Sequence, residues 1–142
     1  GDKAPDFEIE ETDGTKSRLS DYLGKTVMLQ FTASWCSVCR TEMPFIEDEI
    51  WQPLREEGLV LIGIDREEPI DTVTDFAETI GVTYPLALDL KADIFSLYAD
   101  RNSGVTRNVI VNKEGNIAFL SRLFEREEFD EMKAVIKNLL NV

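Results

Sequence analysis

Both cysteines of the chain stand together in Trp35-Cys36-Ser37-Val38-Cys39, with two residues between them. A thiolate is the nucleophile of disulfide exchange, and two cysteines on one helical turn let the second sulfur attack a mixed disulfide formed at the first. Position divides the roles. Cys36, at the exposed tip where a helix begins, is the attacking thiol, because free N–H groups and the positive end of the helix dipole favour its thiolate. Cys39, one turn in and more buried, is the resolving thiol. A structural or metal-binding Cys-x-x-Cys would need further ligands, and the chain has no His and no third Cys to supply them.

Such a pair needs a strand to deliver it and a helix to carry it. Val27 to Phe31 is a mostly apolar run ending just before the motif, the pattern of a central strand buried on both faces. From Cys36 to about Glu57, the residues Cys39, Met43, Ile46, Ile50 and Leu54 recur at spacings of three and four, which is the helical period. Pro44 removes a hydrogen bond to the Arg40 carbonyl, so a kink is expected there, with Pro53 and Gly58 closing the element.

Leu59 to Asp65 reads as a second buried strand, and Pro69 to Ile80 as a helix stopped by Gly81. Two βα units in succession imply parallel pairing with right-handed crossovers. The spacing then predicts a short strand over Tyr84 to Leu88, a helix over Lys91 to Tyr98, and a hairpin of Val109 to Val111 with Ile117 to Leu123. A last helix spans about Arg126 to Leu140. At the other end, residues 7–9 and 15–19 are expected to be strands around the Asp13-Gly14 turn. No repeat or linker interrupts the chain, so residues 1–142 are expected to form one α/β domain with helices on both faces of the sheet.

Composition narrows the chemistry. The 142 residues include 15 Lys+Arg, 28 Asp+Glu and no His, for a net charge of −13. Without His, serine and cysteine hydrolase triads, imidazole proton shuttles and nearly all zinc, copper or non-haem iron sites are excluded. The acidic balance argues against nucleic acid and against anionic membrane surfaces. The longest apolar run, Leu59 to Ile64, is far short of the stretch of about 20 residues that crosses a bilayer. The opening Gly1-Asp2-Lys3-Ala4-Pro5 has neither an initiator Met nor an apolar signal region, so a mature or trimmed chain is expected.

The stretch Phe31-Thr-Ala-Ser-Trp-Cys-Ser-Val-Cys-Arg-Thr-Glu-Met-Pro44, together with Ala4-Pro-Asp-Phe7, Gly81 to Asp89 and Val109 to Gly115, resembles the thioredoxin-like thiol-disulfide oxidoreductases of the TlpA/ResA type. The resemblance runs nearly end to end. It implies a thioredoxin-like fold: a central mixed β-sheet flanked by helices, an N-terminal β-hairpin and an inserted βα element around residues 69–89. It implies exchange of electrons with protein disulfides through Cys36 and Cys39, in the direction of a reductase, with an upstream thiol donor and no cofactor. Members of this family usually work outside the bacterial cytoplasm, tethered or soluble, so an extracytoplasmic monomer is the expectation.

The family carries a Glu matching Glu42, three positions after Cys39 and on the same helix face, where it resembles a proton acceptor for the resolving thiol. A carboxyl group beneath a redox pair would be desolvated and its pKa raised, which fits that task. The plainer alternative is a solvated helix glutamate like its neighbours Glu47, Asp48 and Glu49. Trp35 is either a shield and docking surface, as in thioredoxin-like proteins, or an ordinary core or rim tryptophan. Trp51 is read as packing only.

One position departs from the family. Counting back from Lys113-Glu114-Gly115, the residues Gly104-Val105-Thr106 fall where relatives have a cis-proline, so Thr106 stands in its place. A cis bond before a non-proline residue costs about 2.5–4 kcal/mol, so the Val105–Thr106 bond is expected to be trans. Val105 and Thr106 are the candidate substrate-docking residues, and docking there is put in question by the missing proline. Peroxiredoxins also lack it, which raises a thiol peroxidase alternative. Those enzymes need a Thr at position 33, however, where this chain has Ala, with Thr32 one residue out of register. A redox-sensing binding module with impaired turnover is the other alternative. Copper-delivering relatives use a longer Cys spacer and a His, which this chain lacks.

Overall fold

The computed structural model describes all 142 residues. A short antiparallel hairpin, β1 (Glu8–Glu10) and β2 (Lys16–Arg18), precedes β3 (Thr26–Thr32). Every residue of β3 is buried, as an apolar run flanked by polar breaks requires. Helix α1 (Ser37–Ile46) follows, then a π-helical turn (Glu47–Trp51), α2 (Gln52–Leu54) and a 3-10 turn (Arg55–Glu57). Then come β4 (Leu59–Arg66), α3 (Ile70–Ile80), β5 (Leu86–Asp89), α4 (Phe95–Tyr98), β6 (Arg107–Val111), β7 (Ile117–Arg122) and α5 (Arg126–Leu140).

The main sheet has the order β5-β4-β3-β6-β7, with β3 at its centre. β3 pairs parallel with β4 and antiparallel with β6, and β4 pairs parallel with β5, so the sheet is mixed. Alternation along β3 sends Thr32 towards α1, where its hydroxyl donates to Met43 Sδ at 3.4 Å. Phe31 points the other way, its ring 5.6 Å from both Phe95 and Tyr98 around α4. Helices therefore cover both faces. α1, α3 and α5 share one face, tied by Arg40 over the Phe76 ring at 5.6 Å and by Arg126 and Lys133 on Glu49.

Three expectations are corrected. Pro53 does not close the long helix; it sits inside α2, directly after the π-helical turn, and the stop is Gly58 at φ 97°. That turn, one turn beyond Pro44, is where the helix loses regularity. The strand after Gly81 starts at Leu86 rather than Tyr84, because Tyr84 turns its side chain inward and its hydroxyl donates to Gln30 Oε1 at 2.8 Å. The helix expected over Lys91 to Tyr98 shrinks to α4. Ala92 adopts a left-handed φ of 59°, and the Asp89 carboxylate instead accepts the N–H groups of Ile94 and Phe95.

Candidate active site

The loop after β3 delivers Cys36 to the N-cap of α1, where its extended backbone (φ −85°, ψ 107°) lets Sγ accept the Cys39 N–H at 3.2 Å. The two sulfurs are joined as a disulfide, with Cα atoms 5.3 Å apart. Cys36 is not an exposed tip as the sequence suggested: it is 7% exposed, against 0% for Cys39. The ordering of the two still holds, since Cys36 alone keeps any accessible surface. The residue that does project is Trp35, 66% exposed, which removes the core-tryptophan alternative. Trp51 is half-buried against the core.

Glu42 is 2% exposed, so it is no solvated helix residue. Asn108 Nδ2 donates to its Oε2 at 2.9 Å and approaches Ser121 Oγ at 3.3 Å. The second carboxyl oxygen, Oε1, has no protein partner. Burial pushes the Glu42 carboxyl up to about 7; the Asn108 hydrogen bond opposes this, and the negative charge of Glu128 adds to it. A carboxyl group poised there takes or releases a proton readily at neutral pH.

Val105 and Thr106 are both buried and joined by a trans bond, as all peptide bonds of the chain are trans. Thr106 Oγ1 lies 3.0 Å from Cys36 Sγ and 3.3 Å from Cys39 Sγ. Neither N–H nor C=O of Val105 is engaged by another backbone group.

Several residues of the site escaped the sequence reading. Asn108, opposite Gln30 in the β3–β6 pairing, holds Glu42. Ser34, two residues before Cys36, is clamped from the turn after β4 and from α1: its N–H donates to Glu68 Oε1 at 2.7 Å, its hydroxyl donates to Glu68 Oε2, and its carbonyl accepts from Arg40 Nη1 at 3.1 Å. Buried Asp65 backs Glu68. Burial, then the Glu68 carboxylate, push Asp65 up to about 9. Glu68 is raised by burial, but neighbouring Asp65 and the hydrogen bonds from Ser34 outweigh that and hold it low. The available signal was Asp65 itself, a charge ending an otherwise apolar strand at its carboxyl end, where sites in α/β sheets gather.

Residues 1–120 match the AhpC/TSA family. The chain is 33% identical over 118 residues to the thiol-disulfide oxidoreductase ResA of Geobacillus kaustophilus, covering 82% of this chain and 66% of that protein. A solution structure from Bacteroides thetaiotaomicron, provisionally named a protein disulfide isomerase, is 53% identical and superposes with a TM-score of 0.96, over 100% of this chain and 90% of the other. A Chlorobium tepidum structure, provisionally named a thiol:disulfide interchange protein DsbE, shares the fold at 24% identity and a TM-score of 0.86, over 99% and 96% of the two chains. The chain spans just under two thirds of the Geobacillus kaustophilus protein, and 56% of the ResA of Geobacillus thermodenitrificans.

Proposed function

From the premise that the chain belongs to the AhpC/TSA family and carries a thiol-disulfide oxidoreductase domain of it, we propose that it exchanges two electrons with protein disulfides and acts as a reductase. The observation that carries this reading is the Cys36–Cys39 pair closed on the first turn of α1, with the buried Glu42 carboxyl one turn behind it.

In the reducing direction, the Cys36 thiolate attacks one sulfur of the partner's disulfide, and the other sulfur leaves as a thiolate that takes a proton from solvent. Cys39 then gives its proton to Glu42, and its thiolate attacks Cys36 Sγ. The Cys36–partner bond breaks, the partner leaves with its second thiolate, and the chain is left with the disulfide seen here, oxidised by two electrons. An upstream thiol donor returns it to the dithiol form, and Glu42 releases its proton.

Docking is assigned to the exposed Trp35 ring and to the backbone of Val105, whose free N–H and C=O can pair with an extended partner segment beside Thr106. A monomer working outside the cytoplasm is the assembly and place this reading carries over from the family. No helix is long and apolar enough to cross a membrane. The peroxidase alternative is disfavoured by Thr32, whose hydroxyl is turned to Met43 Sδ rather than to Cys36.

The test is the reduction potential of the pair, obtained by equilibrating the protein in defined thiol buffers and counting alkylated cysteines by mass. A value near or below about −230 mV supports a reductase, and one between about −180 and −120 mV an oxidant or isomerase. The absence of any two-electron transition would sink the oxidoreductase reading altogether.

A further inference from the structure

We propose that the Thr106 hydroxyl is a catalytic hydrogen-bond donor to the redox sulfurs, stabilising the Cys36 thiolate in the dithiol form and then following the negative charge to Cys39 as the mixed disulfide is resolved. The inference rests on the reading of Cys36 as nucleophile, and gives Thr106 a chemical task where only partner docking was expected.

Thr106 lies just before β6, and its position is set by backbone rather than by the sulfurs. Its carbonyl accepts the Leu123 N–H at 3.1 Å, and the next residue, Arg107, is registered against Phe31 of β3. A β-branched side chain so held has few rotamers. The hydroxyl is 3.0 Å from Cys36 Sγ and 3.3 Å from Cys39 Sγ, and it makes no other hydrogen bond. Thr106 is only 5% exposed, so water does not compete freely for its proton. Disulfide sulfurs carry no hydrogen, so the hydroxyl is the donor.

What makes this contact functional is that it differs between redox states. A disulfide sulfur is a weak acceptor, whereas a thiolate is a charged one, and charge-assisted bonds are roughly twice as strong as neutral ones. The bond therefore gains most when Cys36 is reduced and ionised, favouring the thiolate over the thiol and the dithiol form over the disulfide. Two donors then converge on Cys36 Sγ: the Cys39 N–H at 3.2 Å and the Thr106 hydroxyl. Charged groups around the pair include Glu42 behind Cys39, Glu68 bound to Ser34, Arg40 on the Ser34 carbonyl and Arg107 on Ser103 Oγ, and none of them hydrogen-bonds to Cys36 Sγ. When Cys39 ionises and attacks, rotation about one bond turns the same hydroxyl to the second sulfur. No proton is transferred by Thr106 in either step.

Thr106→Val keeps the shape and removes the donor, Thr106→Ser keeps the donor, and Thr106→Ala serves as a second donor-free variant should the valine protein not fold. Two quantities are read on the full chain: the Cys36 pKa of the dithiol form, from thiolate absorbance against pH, and the reduction potential. The expected result is a thiolate fraction about tenfold smaller at a given pH below the pKa in Thr106→Val, with a potential lower by about 30 mV, the two-electron equivalent of tenfold. Thr106→Ser should match the wild type in both. A folded donor-free variant with unchanged Cys36 pKa and potential overturns the proposal while leaving the oxidoreductase reading intact. Loss of the dithiol–disulfide transition in the wild type overturns both.

Discussion

Glu42 destabilises the fold in its ionised form. The carboxyl titrates at about 7 in the folded chain because burial disfavours its charge, whereas an unfolded glutamate titrates near 4.3. The folded state thus holds this proton more tightly, and stability falls as pH rises from about 4 to about 7, with the full loss present above that. Glu42→Gln keeps an oxygen to accept from Asn108 and has no charge to bury. At pH 8 it should be more stable than the wild type by about 3 kcal/mol, and close to it at pH 4, as urea unfolding would show. The same variant should slow disulfide exchange and lose the step near pH 7 in the rate profile. A stability difference independent of pH would mean that Glu42 does not titrate as its burial requires.

The element that holds the nucleophile in place is the turn after β4. Glu67 takes a left-handed φ of 60°, which swings Glu68 back across the sheet end to Ser34, with Asp65 protonated behind it. Glu68→Ala leaves the Ser34 N–H and hydroxyl without acceptors, and bonds to a charged group are worth about 1.5–3 kcal/mol each. The expectation is a lower melting temperature, faster amide hydrogen exchange at Ser34 and slower exchange chemistry at Cys36. Asp65→Asn, which keeps a neutral side chain of the same shape beside Glu68, should keep Ser34 protected; equal loss in both variants would show that a neutral group at position 65 is not what supports Glu68. This clamp also marks where legibility in the sequence ends. The spacing of Cys36 and Cys39 was legible by itself and Glu42 through the resemblance to the family, and the apolar runs of β3 and β4, the Pro and Gly that bound α3 and the helical period of α5 were equally plain. Asn108 reaches Glu42 from 66 residues away and Glu68 reaches Ser34 from 34, contacts that exist only once the sheet has formed. Thr106 could be located by counting, but the sulfurs it touches could not. The short α4 was overestimated because a left-handed Ala92 and a cap from Asp89 are set by tertiary packing, not by period.

At the scale of the whole molecule, the net charge of −13 surrounds a site beside which Arg40 is engaged with the Ser34 carbonyl. A partner approaching from solution meets the summed field first, and that field decays over about 8 Å at physiological ionic strength. Charge should therefore govern the rate of encounter rather than the chemistry that follows it. Two small disulfides of opposite charge separate these effects: cystamine, a dication, and oxidised glutathione, a net anion. At low salt the reduced protein should react with cystamine several-fold faster than with oxidised glutathione after correction for their intrinsic reactivities, and added salt should slow the first and speed the second. Opposite salt slopes would assign the long-range selection of partners to the acidic surface, so that basic segments around a partner's disulfide are favoured. Slopes of the same sign would mean that groups at the site outweigh the −13 charge, leaving Trp35 and the Val105 backbone to select the partner by contact alone.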